Sequence, residues 1–137
     1  MKRRMVLAVF GLLVGLVQAG LAAPAPAKRG KPLTTLEKKL LGAWQGGGCD
    51  GRLEFRRDGT YAWTGYGPGG SSMNGIWKVG GDALPATLSL TCKTAEIPEL
   101  VGKTTEVKLT TLDHQRLAIK YPDEKGGLPG RYTRTGK

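Results

Sequence analysis

The sequence predicts an all-β domain of about eight antiparallel strands, closed as an up-and-down barrel and preceded by a short N-terminal helix. Three observations carry that expectation. Between Gly42 and Val79, apolar and polar residues alternate on either side of an Asp58-Gly59 pair, a strong hairpin signal. A Gly-x-Trp unit stands near each end of this stretch, Gly42-Ala43-Trp44 and Gly75-Ile76-Trp77, and gives two strands a large aromatic anchor. Beyond it, short alternating runs recur with turn residues between them, each patterned for one buried and one wet face as antiparallel strands are. Closure into a barrel removes exposed edges. A two-sheet sandwich is the alternative reading of the same pattern.

The chain of 137 residues suits one domain. Residues 1–22 read as a signal peptide. Lys2, Arg3 and Arg4 form a basic start, Met5 to Val17 an apolar run, and Gln18-Ala19-Gly20-Leu21-Ala22-Ala23 a small-residue region. Val17/Ala19 and Gly20/Ala22 both meet the small-side-chain requirement for cleavage, which places the cut near Ala19 to Ala23. The apolar run is short for a membrane span, and no cysteine follows it for lipid attachment. The expected location is therefore periplasmic or secreted. Residues 23–33, rich in Pro, Ala and Lys, read as an extended, solvated linker. Residues 34–137 form the barrel domain.

Thr34 to Leu41 reads as a helix ending at Gly42, with Thr34 or Thr35 as cap and Glu37 near the positive end of the dipole. Leu36, Leu40 and Leu41 share a stripe suited to covering a barrel mouth. The period then switches to two. Leu53 and Phe55 face inward, with Arg52, Glu54 and Arg56 outward; past the turn, Tyr61 and Trp63 return to the inner phase. Gly65 to Ser72 reads as a flexible glycine-rich loop. Alternation resumes through Gly75, Trp77 and Val79, then through Leu88, Leu90 and Cys92. Thr94 to Lys103 is a connection, and Val107 and Leu109 lie on the next strand. A turn at Asp113-His114-Gln115 leads to Leu117, Ile119 and Tyr121, and a polar loop from Pro122 to Pro129 precedes a last strand, Arg131 to Arg134.

This opening helix and Gly42-x-Trp44, together with Asp58-Gly59-Thr60-Tyr61 and Gly75-x-Trp77, resemble the start of lipocalins and are similar to small exported bacterial lipocalin-like domains. The likeness covers about residues 36–90. It implies that Trp44 packs at the closed end of a barrel beneath an arginine of the last strand, Arg131 or Arg134. It also implies an interior that receives a small apolar ligand or lipid in the cell envelope. The Thr-Asp-Tyr loop motif of lipocalins and their long helix after the barrel do not occur in this sequence.

Several residues bear on function. Trp63, Tyr66 and Trp77 are the candidate ligand contacts, as part of an aromatic-lined cup; a core simply filled by Trp44, Phe55, Tyr61, Trp63 and Trp77 is the competing reading. Cys49 and Cys92 lie 43 residues apart, and in an oxidising compartment a disulfide between them is the expectation. On the chain-entropy model such a bond is worth about 3–4 kcal/mol. Two cysteines and one histidine are too few for a structural zinc site, and no metal or cofactor is expected.

The net charge is +10, falling to +7 once the three cations of the signal are removed. Arg52, Arg56, Lys78, Lys93, Lys108 and Lys120 fall on outward phases and make a basic surface. The alternative function is thus an envelope interaction or structural protein acting through that surface on anionic material, with no internal ligand. Nucleic acid is not an expected partner, since export separates the chain from it and no aromatic platform alternates with the charges. Enzymatic activity is not expected either: His114 lies in a polar turn without a positioned nucleophile, and no acid pair faces a cleft. A monomer is the default oligomeric state.

Overall fold

The computed structural model describes residues 31–48, 50–66, 69–122 and 130–136. The expected signal peptide, most of the linker, Cys49 and most of the Pro122–Pro129 loop lie outside them. A single helix, α1 (Thr35–Leu40), precedes eight strands: β1 (Gly42–Gly46), β2 (Gly51–Phe55), β3 (Thr60–Tyr66), β4 (Ser71–Gly80), β5 (Ala86–Ala95), β6 (Thr104–Leu112), β7 (Arg116–Lys120) and β8 (Gly130–Thr135). Each strand pairs antiparallel with the next, and β8 returns to pair with β1, closing the barrel. The fold is the all-β up-and-down barrel that the alternation predicts, and the sandwich is excluded.

Helix α1 begins with a capping box. The Glu37 amide donates to Thr34 Oγ1 at 3.2 Å, and the Thr34 amide donates to Glu37 Oε2 at 2.9 Å. Leu36 and Leu40 are buried against the barrel and Leu41 packs against the same core, so the helix stoppers one end. Two tryptophans lock that end. Trp44 Nε1 donates to the Leu40 carbonyl at 2.9 Å, and Trp77 Nε1 donates to the Arg56 carbonyl in the β2–β3 turn at 3.1 Å. Both rings are almost fully buried, and Trp77 meets Phe55 edge to face at 5.7 Å.

Of the two candidate arginines, Arg134 covers Trp44, with its guanidinium carbon 4.2 Å from the ring centroid. The two residues are direct partners in the β1–β8 register. Arg134 also donates to the carbonyls of Leu41 at 2.6 Å, Lys39 at 2.6 Å and His114 at 2.7 Å. One side chain therefore satisfies carbonyls at the C-terminal end of α1 and ties them to the β6–β7 turn. Gly42, at φ +115°, leaves room for it, since a Cβ there would lie 2.6 Å from Arg134 Nη1.

The Gly65–Ser72 stretch departs from its expected form. Gly65, Tyr66, Ser71 and Ser72 belong to strands, with Tyr66 opposite Ser71 across a register shift after Trp63. Gly65 adopts φ +74° and approaches the Gly51 Cα so closely that a Cβ would lie 3.0 Å away. Glycine here permits a β-bulge and close strand approach where its abundance suggested a loop. A one-turn 3₁₀ helix, Pro98–Leu100, punctuates the β5–β6 connection, which the sequence suggested only as a linking segment.

The turn between β6 and β7 is built on Asp113. Its Oδ1 accepts the amides of Gln115 at 2.8 Å and Arg116 at 2.7 Å, and its Oδ2 accepts Arg116 Nε at 2.8 Å. These donors, the Gln115 amide foremost, hold the carboxyl down to about 2. The lowered value means that the ionised group favours the folded state above the ordinary carboxylate pKa, and that this contribution fades as pH falls from about 4 toward 2. Asp113→Asn should therefore unfold at a lower temperature than wild type at neutral pH, with the two melting curves converging near pH 2. A gap in melting temperature that persists unchanged at pH 2 would refute this assignment.

Candidate functional site

The end of the barrel opposite α1 holds a pit. β3 contributes Tyr61, Trp63 and Tyr66, β4 contributes Met73, and β5 contributes Leu90 and Cys92. Leu100, Lys103, Thr105 and Tyr121 complete the wall. Among the described residues it encloses about 60 Å³, well below the roughly 300–1,000 Å³ of a drug-sized site. Elsewhere the interior carries the buried side chains of Trp44, Leu53, Phe55, Trp77, Leu88 and Leu109, as an eight-stranded barrel allows. The pit therefore has room for a narrow group, such as a chain end, with the remainder of any ligand lying outside.

The register explains the lining. Trp63 sits opposite Leu53 on one side and Met73 on the other, and Tyr61 opposite Phe55 and Gly75. Gly75 in turn faces Cys92 across the β4–β5 bulge. Tyr66 leans edge-on against Trp63 with centroids 4.9 Å apart, placing two rings at the mouth. The segment after the 3₁₀ helix folds back over Cys92: the Cys92 amide donates to the Lys103 carbonyl at 2.9 Å and the Gly102 amide to the Cys92 carbonyl at 2.8 Å. This brings Leu100 and Lys103 into the wall of the pit.

Two polar groups lie in this apolar lining. The Tyr61 hydroxyl, on a side chain 1% exposed, meets the Met73 thioether at 3.8 Å, and sulfur of this kind is a weak acceptor. Burial, followed by the nearby Cys92, pushes Tyr61 ionisation well above the ordinary phenol range, so the hydroxyl remains a donor at neutral pH. Cys92 is a free thiol that donates to the Thr94 carbonyl at 3.5 Å, and burial raises its pKa. It stands unbridged, where the sequence suggested a disulfide to Cys49; that partner lies outside the described residues.

The three expected ligand contacts separate. Trp63 and Tyr66 come together at the pit, whereas Trp77 lies toward the stoppered end with its indole N–H bonded to Arg56. Met73, Leu100 and Tyr121 line the pit without having been singled out in the sequence. Met73 lies on the inward phase of β4 and Tyr121 continues that of β7 one residue past its end, which is a usable signal; Leu100 belongs to the short 3₁₀ turn and offers none.

The six basic positions also divide. Arg52 and Arg56 both approach Glu54, at 3.9 and 3.1 Å. Lys78, Lys93, Lys108 and Lys120 are exposed and lie outside the salt bridges of the described residues. Among those residues no three His, Cys, Asp or Glu side chains gather as a metal site, and no helix is long and apolar enough to cross a membrane. No family model matches the chain, and no curated protein or solved structure matches it either.

Proposed function

We propose that this protein is a small-molecule binding module of the cell envelope, a lipocalin-like barrel that takes the narrow end of an apolar ligand or lipid into the pit at its open mouth. The observation that carries the reading is the Tyr61 hydroxyl, a donor buried in an apolar pit whose acceptor among the described residues is a thioether sulfur. A buried donor gains most when a proper acceptor reaches it, so the ligand best suited is an apolar group bearing one oxygen. Trp63, Tyr66 and Tyr121 supply the apolar surface, and Lys103, an exposed cation among the lining residues, favours an anionic or polar outer part. The stacking of Arg134 on Trp44 supports the lipocalin-like character. The protein on this reading is an exported monomer that binds without catalysing a reaction.

Trp63 is the reporter for the test. Fatty acids and short-chain aromatic esters should quench tryptophan fluorescence saturably, and mass spectrometry of the purified protein should detect an apolar compound that co-purifies. Tyr61→Phe should weaken an oxygen-bearing probe about 5-fold, the worth of one hydrogen bond of about 1 kcal/mol, and leave a plain hydrocarbon probe unaffected. If no apolar probe quenches the wild-type protein, the reading fails.

A further inference from the structure

On the outer wall of β5–β8, Lys108 and Lys120 are direct partners across the β6–β7 ladder. Like charges placed directly opposite destabilise a sheet, and among the described residues neither lysine has a carboxylate partner to offset this. Thr87 continues the row on β5 as the partner of Lys108. Two residues along β7 from Lys120, Ala118 faces Arg131 on β8, and Arg131 is likewise exposed and, among the described residues, without an ion pair. The three cations thus form an oblique stripe, with about 5 Å between direct partners and a diagonal step of about 8 Å to the third. The cations of β2 differ, since Arg52 and Arg56 flank Glu54.

The wall under the stripe is grooved. An open groove of about 460 Å³ runs between Pro85, Thr87, Lys108, Lys120 and Pro122, with Glu106 at one edge. A second, of about 430 Å³, lies beside it over Ala118, Arg131 and Thr133. The small side chains of Ala118, Thr87 and Thr133 leave the floor low, while the long cations rise beside it. A bilayer, being a plane, would touch the lysine tips and miss the floor. A narrow chain with repeated negative charges can lie along the floor and meet the cations in turn.

We propose that this wall is a binding site for a linear phosphate polyanion, held by Lys108, Lys120 and Arg131. The repulsion between the two lysines is relieved when a phosphate bridges them, so the unfavourable register of the free protein becomes part of the affinity. Counterion release from the polyanion adds a salt-dependent contribution.

Inorganic polyphosphate is the probe, titrated into the full domain by calorimetry from low to physiological salt. Three neutralised charges should give a slope of log K against log salt of about −2. The triple variant Lys108→Gln/Lys120→Gln/Arg131→Gln should bind at least tenfold more weakly, whereas Arg52→Gln/Lys78→Gln on the other side should bind as wild type does. Lys120→Gln alone should not lower the melting temperature, which separates loss of binding from loss of fold. Equal weakening by both variants would mean diffuse attraction and overturn the site. So would binding to vesicles one-third anionic in lipid without binding to polyphosphate, or polyphosphate binding that the triple variant leaves intact.

Discussion

Trp44→Ala should lower the free energy of unfolding by about 4 kcal/mol, within the range for removing a buried tryptophan. The ring is fully buried, its N–H satisfies a helix carbonyl, and the Arg134 guanidinium carbon lies 4.2 Å over its centroid. Arg134→Met keeps much of the apolar stem and removes the charge together with three hydrogen bonds to carbonyls of Leu41, Lys39 and His114. A loss of about 2–3 kcal/mol is expected, near the upper end for one charged hydrogen-bonding group. The two residues touch, so the substitutions should not add. Urea unfolding of both single variants and the double should give a coupling of about 1 kcal/mol. Strict additivity would show that the stack contributes nothing and that Arg134 acts through its carbonyl contacts alone.

Gly75→Ala is expected to cost about 3 kcal/mol or more, from overpacking with little room to relax. A Cβ at Gly75 would overlap the Thr91 carbonyl oxygen, and on its other side the Tyr61 ring carbon stands 2.9 Å away. Neither neighbour can yield cheaply. The carbonyl belongs to the β4–β5 ladder, and Tyr61 is packed between β2 and β4. The position next to Gly75 already carries the register shift that leaves Lys93 without a partner in the ladder. Equilibrium unfolding should show the loss, and near-ultraviolet circular dichroism should show a changed tyrosine environment. A variant as stable as wild type would mean that the bulge slides to absorb the methyl.

The strand count and the facing of most side chains were legible because a barrel strand has a period of two, and Leu53, Phe55, Leu88, Leu90, Val107 and Leu109 obey it without interruption. Depth along the barrel was not legible. Trp63 and Trp77 share an inward phase, yet one lines the mouth and the other closes the far end. Strand tilt and stagger decide that difference, and both emerge only when eight strands close together. Gly65 misleads for a related reason, since glycine is the residue of flexible loops and also of tight bulges. The pit needed Tyr66, Met73, Leu100 and Tyr121 from distant parts of the chain, and no local pattern brings them together. The cation pair of Lys108 and Lys120 was visible as two outward charges, but their direct opposition required the register.

Barrel closure also gives the chain a kinetic character. Seven of the eight ladders join consecutive strands, and only β1 with β8 must find each other across nearly the whole domain. The Arg134 bonds to the Leu41 and Lys39 carbonyls span 93 and 95 residues, which gives them a large loop-closure entropy among the contacts holding the stoppered end. Hairpins of short reach form quickly, whereas non-local pairings are slow. The tryptophan and arginine that fasten the finished barrel thus sit at its seam, where the search through conformations ends.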